Sequence, residues 1–313
     1  FAEDCIGDKV REQALALGPG ECLLLENLRF HPGETANDLA FARQLSRLCR
    51  LYVNDAFSCA HRAHASIAAI TDYGPSCAGL ALMQELDALG KALEAPERPL
   101  VSIAGGAKIS TKIAMLDHLL DRSDYLVVGG GLANTLLFAR GYGIGRSLYE
   151  ASLFQEAVRI LKKAEQSHCR LILPEDLVVA ENPGAAKADQ IVDVKAIPDD
   201  MMALDLGPKS RSRIADLITQ SRTMLWNGPL GLFERAPFAG ATLELARMSR
   251  DQTAKGCLKV VAGGGDTLAA LKAACIRHDE FHHVSTAGGA FLHWLEGKPM
   301  PGLLPLEMAE QGK

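Results

Sequence analysis

The chain has 313 residues, which is more than one hydrophobic core usually serves and is comfortable for two domains. Hydrophobic residues make up 48% of the sequence and charged residues 23%, as is ordinary for a folded protein, and the net charge of −5 argues against a basic nucleic-acid-binding surface. No apolar run approaches the ~18 residues of a transmembrane helix, and the acidic start Phe1–Asp4 does not resemble a signal peptide. The eight cysteines show no CxxC spacing, so we expect reduced, mostly buried thiols in a cytoplasmic protein.

The N-terminal part of the chain predicts a small α/β domain with few strands. Cys22–Leu25 and Leu51–Val53 are predicted strands, and Asp38–Arg50 is a predicted helix. A leucine stripe predicts a further helix over residues 82–93, which ends before two prolines. We therefore expect a partial N-terminal domain over residues 1–80, a connecting helix and hinge over 81–98, a larger domain over 99–290, and a segment over 291–313 that returns toward the N-terminal domain.

Five short apolar runs in the larger domain each lead into glycines, and stretches with helical spacing follow several of them. Repeated strand–turn–helix units predict a parallel sheet with helices on both faces. The five predicted strands are Leu100–Ala104, Tyr125–Val128, Thr223–Trp226, Lys259–Ala262 and His283–Thr286.

The glycine turns indicate a phosphate-ligand site. In an open parallel sheet, ligands bind outside the carboxyl ends of the strands, where glycine backbones and helix N-termini present N–H groups to anions. Tight helix–sheet packing is the alternative explanation. The sequence has no Walker motif and no G-x-G-x-x-G, which argues against a Walker-type NTPase and weakens the case for a dinucleotide dehydrogenase.

Charged side chains accompany two of these turns. Lys108 and Lys112 stand four residues apart at a predicted helix start, where they would share a helical face, and this favours phosphate binding over two solvated lysines. Asp266 follows three glycines, and both a Mg²⁺ ligand and a helix cap remain open for it. Glu234 by itself would be an ordinary surface acid.

A second cluster lies in the N-terminal part. Arg29 and Arg62 each follow a predicted strand and suit carboxylate or phosphate binding, although exposed arginines without a ligand explain them equally well. Zinc binding by Cys59, His61 and His64 is disfavoured because no other Cys or His pair completes a ligand pattern. An anion site in one part and a phosphate site in the other, joined by a hinge, would suit phosphoryl transfer with domain closure.

Several segments, in the family's order along the chain, closely resemble phosphoglycerate kinase. Each segment alone is weak, but together they are highly specific. They are 24–30 (LLENLRF), 53–57 (VNDAF), 60–66 (AHRAHAS), 96–99 (PERP), 105–108 (GGAK), 226–229 (WNGP), 263–267 (GGGDT) and 285–286 (ST).

The resemblance implies two Rossmann-like three-layer αβα domains with parallel sheets, the N-terminal one incomplete. It implies reversible phosphoryl transfer from 1,3-bisphosphoglycerate to ADP, giving 3-phosphoglycerate and ATP, by a Mg²⁺-dependent cytoplasmic monomer. By motif match, Arg29 and Arg62 would bind phosphoglycerate, and Lys108 would neutralise the transferring phosphoryl group. Lys112 would hold nucleotide phosphates, and Glu234 would bond the ribose hydroxyls. The residues that would hold further phosphate oxygens are Gly264, Gly265, Asp266 and Thr267, with Asp266 toward Mg²⁺.

The sequence also departs from the family pattern. It starts at Phe1, downstream of the family's first strand with its substrate-binding residues, so we expect a truncated chain with impaired transfer. A catalytically inactive adenine-nucleotide-binding module is the alternative, and a dinucleotide oxidoreductase is a third. Ser58-Cys59, Ala203 and Ala287 replace usual family residues, and we expect them to be tolerated unless a replaced glycine needs a left-handed backbone.

Overall fold

The structure, a computed structural model that describes residues 1–311, divides into two compact units. Unit 1 contains Phe1–Glu85 together with the chain from Lys298, and unit 2 contains Leu86–Gly297. Both units combine helices with parallel strands, so the predicted α/β class is confirmed. Among the described residues, no helix has the length and apolar character needed to cross a bilayer.

Unit 1 is built around a two-stranded parallel sheet. Its N-terminal elements are α1 (Asp8–Leu15), α2 (Pro32–Thr35), α3 (Leu39–Ser46), β1 (Tyr52–Asn54) and β2 (Ser76–Ala78), and α4 (Leu80–Leu93) leads out of it. The core brings together side chains from several of these segments: Cys5, Phe41, Ala42, Leu45, Ala65, Ala69 and Ile70.

The expectations for unit 1 were only partly correct. No strand forms over Cys22–Leu25, where Leu24 is 71% exposed and accepts a backbone hydrogen bond from Ala2 instead of pairing in a sheet. The predicted helix over Asp38–Arg50 is shorter, because Asp38 caps α3 and the helix ends at Ser46, just after its last buried side chain. β2 was not foreseen.

Unit 2 contains a six-stranded, all-parallel sheet in the order β11-β10-β9-β3-β4-β5. Its strands are β3 (Leu100–Ala104), β4 (Tyr125–Val128), β5 (Arg170–Ile172), β9 (Thr223–Asn227), β10 (Lys259–Gly263) and β11 (His283–Ser285). The five predicted strands are all present, within one residue of the predicted ends. Every residue of β3 and β9 is buried, which explains their mostly apolar sequences.

A second sheet of unit 2 was not foreseen. It is antiparallel, in the order β7-β6-β8, and consists of β6 (Asp176–Ala180), β7 (Gln190–Asp193) and β8 (Met202–Leu206). β6 is buried throughout, whereas most of β7 is exposed, so the two partners share no common hydrophobic pattern.

The remaining helices belong partly to unit 2 and partly to unit 1. They are α5 (Ile113–Arg122), α6 (Gly130–Ala139), α7 (Phe154–Gln166), α8 (Pro208–Gln220), α9 (Gly240–Ala254), α10 (Gly265–Ala273) and α11 (Gly289–Leu295) in unit 2, and α12 (Leu304–Gln311) in unit 1. α6 is apolar on most sides and buried, whereas α7 buries a single stripe of Ala157, Ile160 and Leu161.

The cysteines correct one prediction. Cys5 and Cys169 are buried and Cys59 is half-buried, but the other five are exposed, so the expectation of mostly buried thiols is wrong. The sequence around a cysteine does not show which face of a loop or strand it occupies, and tertiary packing decides that.

Candidate active site

Five glycine turns lie along one edge of the six-stranded sheet. The strands that lead into them, β11, β10, β9, β3 and β4, are consecutive neighbours and run parallel. Their carboxyl ends therefore share one edge, as the sequence predicted. In open α/β sheets this edge is where ligands bind, because helix N-termini and free backbone amides face it.

Lys112 lies at this edge, immediately before α5. Its Nζ donates hydrogen bonds to the carbonyl oxygen of Gly105 at 2.6 Å, and to the carbonyl oxygen and Oδ1 of Asn227 at 3.0 and 2.5 Å. Burial lowers the pKa of Lys112 to about 8, and the carboxylate of Asp266 only partly offsets this. The edge thus holds a largely buried ammonium close enough to Asp266 to interact with it electrostatically.

Asn227, for which the sequence indicated no role, joins three strand ends. Besides accepting from Lys112, its Nδ2 donates to the carbonyl oxygen of Gly263 at 3.1 Å, and its backbone oxygen accepts from the Gly105 N–H at 3.0 Å. The ends of β3, β9 and β10 are therefore linked through one residue, by its amide side chain and its backbone oxygen. A buried amide directly before a Gly-Pro turn was the signal that could have revealed it.

The start of α10 contributes both an exposed and a buried group. Thr267 is fully buried, and its Oγ1 accepts a hydrogen bond from the Gly228 N–H at 2.7 Å. Asp266 is exposed and makes no ion pair within 4 Å with any described residue. Gly265 is exposed, with no heavy atom close to where a side chain would begin. This helix terminus therefore offers a free carboxylate beside open backbone.

Lys108 lies in the exposed loop before α5. The expectation that it shares a helical face with Lys112 is wrong, because the helix begins only at Ile113. The loop is held by Glu150, whose carboxylate accepts from the Ser110 N–H at 2.8 Å and the Ser110 hydroxyl at 2.7 Å. Partial burial raises the pKa of Glu150, but these hydrogen bonds outweigh it and lower the pKa below its usual value.

Glu234 is exposed in the turn that follows β9. Two backbone hydrogen bonds anchor this turn: Leu232 N–H donates to the Leu204 oxygen at 2.8 Å, and Gly130 N–H donates to the Leu230 oxygen at 2.9 Å. The turn is thereby fixed both to β8 and to the end of β4, and it presents Glu234 from a rigid base.

Gly228 provides the first prediction. Its φ of +101° is left-handed, and a Cβ there would lie against the Gly105 carbonyl and 2.8 Å from Lys112 Nζ. Replacing Gly228 by alanine is expected to cost about 2–4 kcal/mol of stability, since backbone strain and a steric clash add. The measurement is urea unfolding. Gly265→Ala is the matched control, since that position is open and not left-handed, and an equal loss in both variants would contradict the argument.

Arg29 and Arg62 both belong to unit 1. Arg29 is exposed in a short 3-10 turn whose N-cap, Asn27, accepts a hydrogen bond from the Arg29 N–H at 3.0 Å. Arg62 is half-buried, and its Nε donates to Nε2 of His61 at 3.4 Å. Local hydrogen bonds thus shape both arginine turns.

One His/Cys/Asp group in the described chain is close enough to share a metal ion, and it is not the one considered from sequence. It consists of Asp4, Cys5 and His31, whose ligand atoms lie within 4.8 Å of one another. Burial and the charge of Asp4 raise the pKa of Cys5 to about 11, so the thiolate that a metal requires is disfavoured. His31 Nε2 already lies 2.7 Å from Asp4 Oδ1. We therefore assign no metal to this group.

Comparison with known proteins identifies the family. The family model described as phosphoglycerate kinase matches residues 1–298. The chain is 52% identical over 303 residues to the phosphoglycerate kinase of Sinorhizobium fredii, covering 97% of this chain and 76% of that protein. It is 50% identical over 309 residues to that of Ruegeria pomeroyi, covering 99% of this chain and 77% of that protein. The chain belongs to the phosphoglycerate kinase family.

Solved structures agree with this assignment. The phosphoglycerate kinase of Coxiella burnetii matches with a TM-score of 0.89 and 42% identity, over 94% of this chain and 75% of the other. The phosphoglycerate kinase of Pyrococcus horikoshii matches with a TM-score of 0.81 and 27% identity, over 99% of this chain and 78% of the other. The two Rossmann-like α/β domains of phosphoglycerate kinases are thus the fold class of this chain, and the enzyme class is a phosphotransferase.

Membership in the phosphoglycerate kinase family also decides between the alternatives. The dinucleotide oxidoreductase is excluded, and the catalytically inactive nucleotide-binding module is not favoured. The described non-glycine residues with a left-handed backbone are Asn37 and Cys275. The backbone therefore does not demand glycine at Ala203 or Ala287, where this kinase departs from the family's common residues.

Proposed function

We propose that this chain catalyses the reversible transfer of a phosphoryl group from 1,3-bisphosphoglycerate to ADP, which gives 3-phosphoglycerate and ATP. The observation that carries the proposal is the ammonium of Lys112, buried among strand-end carbonyls at the glycine-lined edge of the sheet. A polyphosphate is the ligand that best suits a desolvated cation beside glycine backbone, because the electrostatic attraction between ammonium and phosphate compensates for the burial of the charge.

The nucleotide phosphates are assigned to Lys112 and to the start of α10. Gly264 is the N-cap of this helix, and Gly265 and Thr267 lie in its first turn, where the leading N–H groups have no partner within the helix and the helix dipole favours anions. Glu234 is assigned to the ribose hydroxyls, for which an exposed carboxylate supplies acceptor oxygens.

Asp266 is assigned to Mg²⁺. Its carboxylate is exposed, unpaired with any cation in the described part of the chain, and next to the backbone that would hold phosphate oxygens. Mg²⁺ usually takes one or two carboxylates together with substrate phosphate oxygens, and this arrangement fits that donor set. When bound, the ion would neutralise charge on the transferring phosphates.

Lys108 and the two arginines complete the assignment. Lys108 is an exposed cation on a loop that Glu150 anchors, and we give it the role of neutralising the phosphoryl group during transfer. Arg29 and Arg62 bind phosphoglycerate, whose carboxylate and phosphate match the planar guanidinium fork. The resemblance to phosphoglycerate kinases leads us to place the enzyme in the cytoplasm and to treat it as a monomer.

The pKa of Lys112 predicts how nucleotide binding depends on pH. With a pKa of about 8 in the free protein, the ammonium deprotonates as pH rises, and only the protonated form attracts phosphate. ADP affinity should therefore fall about tenfold between pH 7 and pH 9. Isothermal titration calorimetry measures this. A flat profile would contradict the assignment, and Lys112→Met should remove the dependence.

The reaction itself is tested with the full chain, ATP, Mg²⁺ and 3-phosphoglycerate. We expect ADP to form only when 3-phosphoglycerate is present, and we expect ADP but not NAD to bind in separate titrations. Absence of both ADP binding and phosphoglycerate-dependent turnover would overturn the proposal.

A further inference from the structure

Glu34 is a buried carboxylate in unit 1 that the proposed chemistry does not use. It lies in α2 with 3% of its surface exposed. Its Oε2 accepts a hydrogen bond from the Ser66 N–H at 3.0 Å, and its Oε1 accepts from the Ser66 hydroxyl at 2.6 Å. His64 Nδ1 lies 3.5 Å from Oε1. One carboxylate thus engages two residues of the turn over 60–66, far away in sequence.

The backbone of Glu34 makes the same connection. Its carbonyl oxygen accepts from the Ala65 N–H at 2.9 Å. Side chain and backbone together therefore hold three successive residues, 64–66. These residues end the turn that carries Arg62, whereas α2 itself directly follows the turn that carries Arg29. Glu34 is therefore a direct link between the two segments that bear the proposed substrate arginines.

The opposite end of the Arg62 turn is held independently. The Gly302 N–H donates to the Ala60 carbonyl oxygen at 2.9 Å, and Asn54 Nδ2 donates to the Gly302 oxygen at 3.2 Å. Arg62 therefore lies between two fixed ends, one set by Gly302 and one by Glu34. Releasing the Glu34 end would leave the arginine attached to a turn anchored on one side only.

A stability role does not by itself explain a carboxylate at this position. Burying a charge has a large desolvation cost, and replacing a buried ionic group by apolar side chains is often neutral or stabilising. What several hydrogen bonds to one carboxylate do provide is a single fixed geometry. Binding a small anion that carries both a carboxylate and a phosphate requires that geometry, since a displacement of an arginine by about 1 Å weakens its contacts severely.

We propose that Glu34 is a positioning residue for phosphoglycerate, holding the Arg62 turn in register with the Arg29 turn. This inference rests on the proposed function, in which the two arginines bind that substrate. Glu34 itself touches no reacting atom.

The experiment compares Glu34→Gln and Ser66→Ala with Asp38→Ala in the full chain. Asp38 is also in unit 1, but its carboxylate caps α3 through the Phe41 N–H at 2.7 Å and makes no hydrogen bond to residues 60–66. It is a matched control for a merely structural loss. Ser66→Thr retains the hydroxyl and is the conservative variant.

We expect Glu34→Gln and Ser66→Ala to raise KM for 3-phosphoglycerate about tenfold while KM for ATP stays within about twofold. In both, amide hydrogen exchange should accelerate at residues 64–66 and remain unchanged in α3. In Asp38→Ala, amide exchange should accelerate in α3 and remain unchanged at residues 64–66, and KM for 3-phosphoglycerate should not change. Ser66→Thr should behave like the parent chain.

Unchanged exchange at residues 64–66 in Glu34→Gln and Ser66→Ala would overturn the inference, as would equal changes in both KM values. The exchange measurement needs no turnover. If the parent chain showed no phosphoglycerate-dependent activity, the proposed function would fail on its own, and the exchange data would still decide whether Glu34 holds the turn.

Discussion

Replacing Lys112 by methionine is expected to weaken ADP binding about 30- to 150-fold, because charge-assisted hydrogen bonds to phosphate are each worth about 2–3 kcal/mol. Methionine keeps the length and the apolar stem of the side chain but removes the ammonium. The three hydrogen bonds to Gly105 and Asn227 disappear as well.

The Lys112→Met substitution should change the thermal stability of the protein much less than it changes the affinity for ADP. At pH 7 the parent protein contains a charged Lys112 in a site that burial makes unfavourable, as its lowered pKa of about 8 shows. Removing that charge offsets the lost hydrogen bonds, so we expect a thermal midpoint close to that of the parent. Calorimetric titration and thermal unfolding measure the two effects separately.

Lys108→Met is the control for this prediction. Lys108 is exposed and outside α5, so its replacement should slow transfer while leaving ADP affinity nearly unchanged. Equal losses of ADP affinity in the two variants would show that Lys112 acts only as one of several surface charges, and the nucleotide assignment would have to be abandoned.

Replacing Asp205 by asparagine is expected to raise the free energy of unfolding by about 2–3 kcal/mol more at pH 8 than at pH 5. Asp205 is 4% exposed in β8, and its Oδ2 accepts from the Ala241 N–H at 3.0 Å. Burial raises the pKa of Asp205 to about 7, although backbone hydrogen bonds and the charge of Arg211 act in the opposite direction. The carboxyl group is therefore more easily ionised in the unfolded chain than in the folded one.

The sign of the pH effect follows from this difference. Because the pKa of Asp205 is raised in the folded protein, its contribution to the free energy of unfolding is fully present below the unfolded pKa of about 4. That contribution is lost as pH rises through the folded pKa of about 7. Between pH 5 and pH 8 the parent should lose about 2–3 kcal/mol of unfolding free energy through this group. Asparagine retains the acceptor oxygen and cannot ionise, so the variant should not show that loss.

Urea unfolding at pH 5, 6, 7 and 8 measures the effect as the difference between parent and variant. Asp216→Asn on the exposed side of α8 is the control and should give the same difference at every pH. If Asp205→Asn were as pH-sensitive as the parent, ionisation of Asp205 would not be the cause.

The sequence by itself determined the family and five of the six strands of the larger sheet, whereas β5 was not predicted. The strands β3, β4 and β9 of the parallel sheet are short, mostly apolar runs that are almost wholly buried, because both faces of each strand are covered. Local sequence therefore carries the whole signal for such a strand. The motifs that contain Arg29, Arg62, Lys108 and Asp266 are likewise contiguous segments, so the resemblance to phosphoglycerate kinase could be recognised directly.

Tertiary structure alone decided the features that depend on partners distant in sequence. The antiparallel strand β7 is mostly exposed, so its sequence has no hydrophobic pattern that would identify it as a strand. Only its pairing with β6 defines it. Asn227 became part of the candidate site only when β3 and β10 came to lie on either side of it. Glu34 became a link only when residues 64–66 folded onto it. The depressed pKa of Lys112 and the raised pKa of Asp205 have the same origin, since desolvation is set by all the atoms around a charge and not by its neighbours along the chain.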